Sequence, residues 1–304
     1  EDEQGIIFNN NPDQDLDAAG VIASDLSRAP LEVNPKLEGQ AARIILVEVS
    51  GSSSPSHLKG PTEIYGQQAD YILANPNGIY VDGAGFINAG RITLTTGAPQ
   101  FHEDAGADLE AFSIDDGITA IRDGGLQAAP SAVTIASRAV ELLGKLHTTA
   151  EAKVYAGRNV FNYATNNIKV LPYSDVKQPS MAIDASSLGK IEAGKIMLIA
   201  TEYGVGVKAP ELLSHDDSIY VEARGDITFP SPVYDSADAT VGAGEEKGPS
   251  LQGGDALSKY PERRGSADAA QGDVTSVAAR KNESSLQGEH ERKGQSSEGS
   301  ISNS

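Results

Sequence analysis

The 304-residue sequence contains no cysteine and no tryptophan, and only 5% of its residues are aromatic. The missing cysteine excludes a disulfide framework and any thiolate metal site. With aromatics scarce, Val, Ile, Leu and Ala must fill the interior of a chain that is 39% hydrophobic and holds 32 glycines, which favours thin, regularly layered β-structure. Basic residues are also few: 24 Lys and Arg against 43 Asp and Glu leave a net charge of −19. A nucleic-acid surface needs clustered Lys and Arg to release counterions, so no nucleic-acid partner is expected, and an anionic membrane surface is disfavoured for the same reason. No apolar run approaches the roughly 18 residues a membrane span requires. No charged-then-apolar signal peptide opens the chain. The first residue is Glu1, which reads as a processed chain or an internal fragment, so missing targeting information says nothing about location.

Composition divides the chain near residue 235. From Glu245 to Ser304 there are six Ile, Leu and Val residues, one aromatic (Tyr260), and ten acids against eight bases. Such a segment buries too little apolar surface to offset the entropy of ordering it, so residues 235–304 are expected to form a disordered polar tail. Residues 1–244 keep 33 acids and 16 bases, so the acidity belongs to the folded part, placed at residues 1–234.

Within that part, short β-branched runs alternate with Gly, Asn and Pro punctuation. Gly5–Asn10, Ala42–Val49, Thr62–Tyr65, Ala69–Ala74, Gly78–Val81, Arg91–Thr95 and Lys195–Ala200 all read as strands. Strands so short and closely spaced suit a solenoid in which each turn makes several parallel strands stacked at ~4.8 Å. With roughly 20 to 25 residues per coil, residues 40–230 would make about eight coils and a rod of about 35–40 Å. Two features oppose this reading. Ala132–Leu146 carries Ile135, Ala139, Leu142 and Leu146 at helical spacing, and pattern alone predicts a helix there. An all-β sandwich also produces short punctuated strands.

A resemblance decides between these readings. Ala74-Asn75-Pro76-Asn77-Gly78-Ile79, continuing to Asn88 and followed by Arg91–Gly97, resembles the Asn-Pro-Asn-Gly-Ile signature of filamentous haemagglutinin amino-terminal domains. Asn34-Pro35-Lys36-Leu37 is similar to the companion Asn-Pro-Asn-Leu motif, with Lys36 in place of the second Asn. Ala42–Gly51, Gly66–Leu73 and Thr201–Val207 match the same family in collinear order. The likeness covers roughly residues 5–228. It implies a right-handed parallel β-helix, β rather than α over residues 132–146. It also implies the secretion domain of a large adhesin or contact-dependent toxin of the two-partner type.

Such domains transit the periplasm of a Gram-negative bacterium, bind the periplasmic POTRA modules of an outer-membrane transporter, and start folding at the cell surface. A host or neighbouring-cell receptor would be met by downstream sequence that this chain lacks. Where relatives carry a Cys-x-x-Cys after the second motif, this chain has Val81 and Ala84, so that clamp is lost. The match starts almost at residue 1, so the family's amino-terminal cap is expected to be truncated.

Motif chemistry points to turns. Pro35 and Pro76 fix φ and remove a donor, Asn77-Gly78 accommodates a tight reversal, and Asn34, Asn75 and Asn77 can bond the freed backbone groups. Asn34, Pro35, Leu37, Asn75, Pro76, Asn77, Gly78 and Ile79 are therefore the candidate recognition residues, serving as corner turns, as transporter contacts, or as both.

No cofactor and no metal is expected. The five histidines (His57, His102, His147, His215 and His290) are scattered without ligand spacing, and each reads as a surface residue. The alternative function is a polysaccharide-cleaving or glycan-binding β-helix. Its obvious acids, Asp115-Asp116 and Asp216-Asp217, are adjacent pairs that point to opposite faces of a strand and precede turn residues. Cleavage would need acids and bases from successive coils stacked on one face.

Overall fold

The computed structural model describes residues 4–12, 23–102, 108–172, 177–229, 239–243 and 274–278. Strand β1 (Ile6–Asn10) is followed by a 3-10 turn at Pro35–Leu37, then by β2 (Ile44–Glu48), β3 (Ser56–Gly66), β4 (Ala69–Ala74), β5 (Ile79–Ile87) and β6 (Ala89–Thr95). A hairpin of β7 (Ala98–Phe101) and β8 (Leu109–Ile114) interrupts the winding. β9 (Ile118–Ile121), β10 (Leu126–Gln127), β11 (Ala132–Ser137), β12 (Ala139–Leu142), β13 (Lys145–His147) and β14 (Glu151–Ala156) resume it. A second insertion holds β15 (Asn159–Asn162) and β16 (Ile168–Val170). The body then runs through β17 (Met181–Ala185), β18 (Lys190–Ala200), β19 (Gly206–Lys208), β20 (Glu211–Ala223) and β21 (Ile227–Thr228). β22 (Ala239–Ala243) and β23 (Val274–Ala278) lie beyond it.

Parallel pairing stacks these strands into three faces of a right-handed β-helix. Face 1 is β2, β4, β6, β11, β14, the second half of β18 and the second half of β20. Face 2 is the start of β3, the start of β5, then β9, β12, β17, β19 and β21. Face 3 is β1, the ends of β3 and β5, β10, β13, and the first halves of β18 and β20.

The coils begin on face 1 at residues 44, 69, 89, 132, 151, 195 and 218. Seven coils therefore stand where about eight were expected, because the two insertions absorb residues without adding rise. Seven strands at ~4.8 Å make a rod of ~34 Å.

The core is built by registered columns. Val47, Leu73, Leu94, Ile135, Val154, Leu198 and Val221 stack inward through face 1. Aromatics contribute to the first coils, where Phe8, Tyr71 and Phe86 form a chain with centroids 5.7 and 5.1 Å apart. Residues 132–146 are β11, β12 and most of β13, so the helical pattern is overruled as the resemblance implied.

The outer side of face 1 is covered as well. β7, β8, β15 and β16 form an antiparallel sheet in the order β16-β15-β8-β7. Phe112 and Phe161 from that sheet, with Tyr163 just after β15, pack with Leu46, Ile72, Ala136, Tyr155 and Ile199 in a second buried cluster. Face 1 strands are buried on both sides, which is why they read as near-continuous apolar runs.

Of residues 235–304, only 239–243 and 274–278 are described, as strands pairing parallel with β20 and β2. The rest of the expected tail lies outside the described residues.

Candidate functional site

Each Asn-Pro motif occupies a corner or cap of the first coils. Asn75 ends β4 and turns face 1 into face 2. Its side chain is wholly buried. Asn75 Nδ2 donates to Ser54 O at 3.1 Å and to Ser56 Oγ at 2.9 Å, while its Oδ1 accepts from the Asn77 amide at 2.9 Å. Its own amide donates to Thr95 O at 3.0 Å, so this one residue ties coils 1, 2 and 3.

Pro76 and Asn77 are exposed on the outside of that corner. Asn77 Nδ2 donates to Ser52 O at 2.6 Å. Gly78 has φ +111° and faces Ile118 O, which a Cβ would approach to 3.1 Å, so the position admits glycine. Ile79 is fully buried and starts the next face.

Asn34 caps the 3-10 turn. Its Oδ1 accepts from the Lys36 amide at 3.1 Å and its Nδ2 donates to Asn9 O at 2.9 Å. Pro35 occupies the first turn position, and Leu37 packs, partly buried, against the core. The two motifs thus bond different neighbours, β1 for the first and the Ser52–Ser56 segment for the second. The structure brings them to the same end of the rod without building them into one pocket.

The amino-terminal segment is anchored by a buried carboxylate that the sequence did not single out. Glu63 accepts from Ser24 Oγ at 2.6 Å, the Asp25 amide at 2.9 Å and the Leu26 amide at 3.0 Å. Asn10 and Asn88 were missed too. Asn10 Nδ2 donates to Ala42 O and Gln67 O, and Asn88 Nδ2 to Ile64 O and Gly66 O, pinning successive coils at the corner between faces 3 and 1. The signal available was Asn at the end of an apolar run, in Phe8-Asn9-Asn10 and Phe86-Ile87-Asn88. Val81 and Ala84, the positions of the absent cysteines, are both buried and pack apolar surface instead.

Among the described residues, several charged side chains on the outer faces form cross-coil ion pairs. Lys145 reaches Glu192 at 2.7 Å, Lys190 reaches Glu211 at 3.0 Å and Lys208 reaches Asp184 at 3.7 Å, each across adjacent strands. Glu141 and Asp184 do stack on face 2, but Lys208 follows them on the next coil. Asp115 is taken up by Arg158, and Asp116 and Asp216 are exposed.

Two histidines that looked scattered converge on one carboxylate: His147 Nε2 lies 3.7 Å and His215 Nε2 3.4 Å from Glu192 Oε1. The hydrogen bond from Lys145 is the main cause holding the Glu192 carboxyl below the usual range. Burial pushes the Tyr155 and Tyr163 phenols up. Among the described residues no group of three His, Asp or Glu is placed to hold a metal ion. His290 lies outside the described residues.

Comparison with known proteins matches this geometry. Residues 2–229 fit the family model of the TPS secretion domain. The chain is 34% identical over 225 residues to the tRNA nuclease CdiA-2 of Burkholderia pseudomallei, covering 73% of this chain and 7% of that protein. It is 34% identical over 245 residues to the 16S rRNA endonuclease CdiA of Enterobacter cloacae, again 7% of that protein, and 32% identical over 244 residues to a hemolysin of Proteus mirabilis, 15% of it. The chain therefore spans a small fraction of the length of these relatives. The crystal structure of a filamentous hemagglutinin secretion domain superimposes with a TM-score of 0.65 at 31% identity, covering 79% of this chain and 80% of that one. This chain belongs to the TPS secretion domain family.

Proposed function

We propose that this domain is the front end of a large exported adhesin or contact-dependent toxin. It is recognised by the POTRA modules of an outer-membrane transporter after periplasmic transit, and it nucleates a β-helical rod at the cell surface. The observation that carries the reading is the family match over residues 2–229 together with a corner at Asn75–Gly78 whose buried half is rigidly bonded and whose outer half, Pro76 and Asn77, is free to be touched. The nuclease activities in the relatives' names belong to those proteins, and this domain is read as non-catalytic. A host or neighbouring-cell receptor would be met by sequence beyond this domain.

The test is capture of the chain by the isolated periplasmic modules of its cognate transporter, with circular dichroism on the same samples. Asn77→Ala is expected to weaken capture while the β-spectrum survives, placing the contact on the exposed half of the corner. A wild-type chain that folds but is not captured would sink the reading and turn attention to polysaccharides.

A further inference from the structure

Where face 1 turns into face 2, three successive coils assemble one charged unit. Arg138 follows β11 in coil 4, Arg158 follows β14 in coil 5, and Glu202 follows β18 in coil 6. Arg138 donates from Nε at 2.9 Å and from Nη2 at 3.3 Å to the two oxygens of Glu202. The Arg158 amide donates to Glu202 Oε1 at 3.1 Å. The side chains of Arg138 and Glu202 are 3% and 9% exposed, so this is an ion pair inside the protein.

The same unit roots the four-stranded sheet. Arg158 Nε donates to Asp115 Oδ1 at 3.2 Å, its Nη1 donates to Pro172 O, and Arg138 Nη1 donates to Asp115 O at 2.9 Å. Asp115 follows β8 and Pro172 lies just past β16, so the carboxyl-terminal ends of both insertions that make the sheet are held here.

Gly157 supplies a second, independent observation. It lies in coil 5, between the coils of Arg138 and Glu202, with φ +128°, and a Cβ there would run into Thr201 Oγ1 and come within 3.4 Å of Glu202 Cγ. Glycine leaves the gap through which coil 4 and coil 6 meet.

We propose that Glu202 is the positioning residue that completes docking of the four-stranded sheet, so that the sheet locks onto face 1 only once the sixth coil has formed. The carboxylate lies 64 residues after Arg138 and 44 after Arg158. In a chain that folds from its amino-terminal end, as the export reading on which the timing rests requires, it is the last part to arrive. Until then the corner lacks its buried anion. Burying guanidinium without that anion is disfavoured, which keeps the root of the sheet solvated. The first coils can stack meanwhile, because their own corners are closed by Asn10, Asn75 and Asn88.

Pulsed hydrogen exchange during refolding of the full chain tests this without the transporter, so its outcome is separable from transporter capture. In the wild type, amides of β8 and β15 are expected to gain protection together with the second half of β18 and not before it, because the Glu202 contact is required whatever the order in which the other coils form. Protection of β8 and β15 before β18 would overturn the proposal. At equilibrium, Glu202→Gln is expected to lower protection of β8 and β15 at least about tenfold while β4 and β6 are unchanged. An unchanged β8 and β15, or a uniform loss over all coils, would also overturn it.

Discussion

Asn75 and Asn77 carry the same side chain two residues apart and serve different ends. The amide of Asn75 is enclosed and holds three coils together, whereas that of Asn77 reaches back to Ser52 from the surface. Asn75→Ala is therefore expected to cost about 2 kcal/mol, since buried partners are left unsatisfied. Asn77→Ala is expected to cost less than half of that. Chemical denaturation of both variants checks the difference.

The sequence motif identified this corner, because Asn, Pro and Gly are the residues a tight turn demands. Nothing in it separated the buried asparagine from the exposed one, since that depends on which coil stacks above. Glu63 was illegible for a related reason: its three donors, at Ser24, Asp25 and Leu26, lie 37 to 39 residues away.

Residues 132–146 show how an element can mislead. Ile135, Ala139, Leu142 and Leu146 are all buried, but on three strands separated by corners at Arg138 and Leu143-Gly144. Ile135, Leu142 and Leu146 belong to the interior cluster, whereas Ala139 is buried outside it beside inward-facing Val140, so residues from different faces together imitate a helical spacing. Ile135→Ala is expected to cost about 2–5 kcal/mol, as for other buried aliphatic truncations, with the β-spectrum retained below the lowered melting temperature.

Where face 1 turns into face 2, Glu202→Ala is expected to cost about 3–5 kcal/mol by leaving Arg138 buried without its carboxylate. The four-stranded sheet was not foreseen as a separate layer. Its strands, such as Asn159–Asn162, look like those of any coil, and only their antiparallel pairing sets them apart.

On face 3, the depressed Glu192 carboxyl links stability to pH. A lowered folded pKa contributes stability above the unfolded value near ~4.3 and loses it as pH falls through the folded value. Wild type is therefore expected to exceed Glu192→Gln in melting temperature at pH 7, with the gap closing as pH drops below about 4.

At the scale of the molecule, seven stacked coils form one continuous interior, with Phe8 and Leu37 packed against it from the amino-terminal segments. Short β-branched runs made an all-β fold legible, but it was the family resemblance of the Asn-Pro motifs, not the spacing of the runs, that decided for a β-helix over a sandwich. The coil count was not legible, because insertions of hairpin size carry no distinguishing composition. Acidity is distributed along the outer faces and partly balanced by bases on neighbouring coils, as at Glu192 and Glu211. This suits a rod that stays soluble while its coils stack.

The central claim is that these residues form an export domain, and export itself is the direct measurement. The chain, supplied with an inner-membrane signal peptide and produced with or without its cognate outer-membrane transporter, is assayed in the culture medium and on the cell surface. Accumulation outside the cell only when the transporter is present is the expected result. Equal amounts outside with and without the transporter, or retention in the periplasm in both cases, would contradict the account.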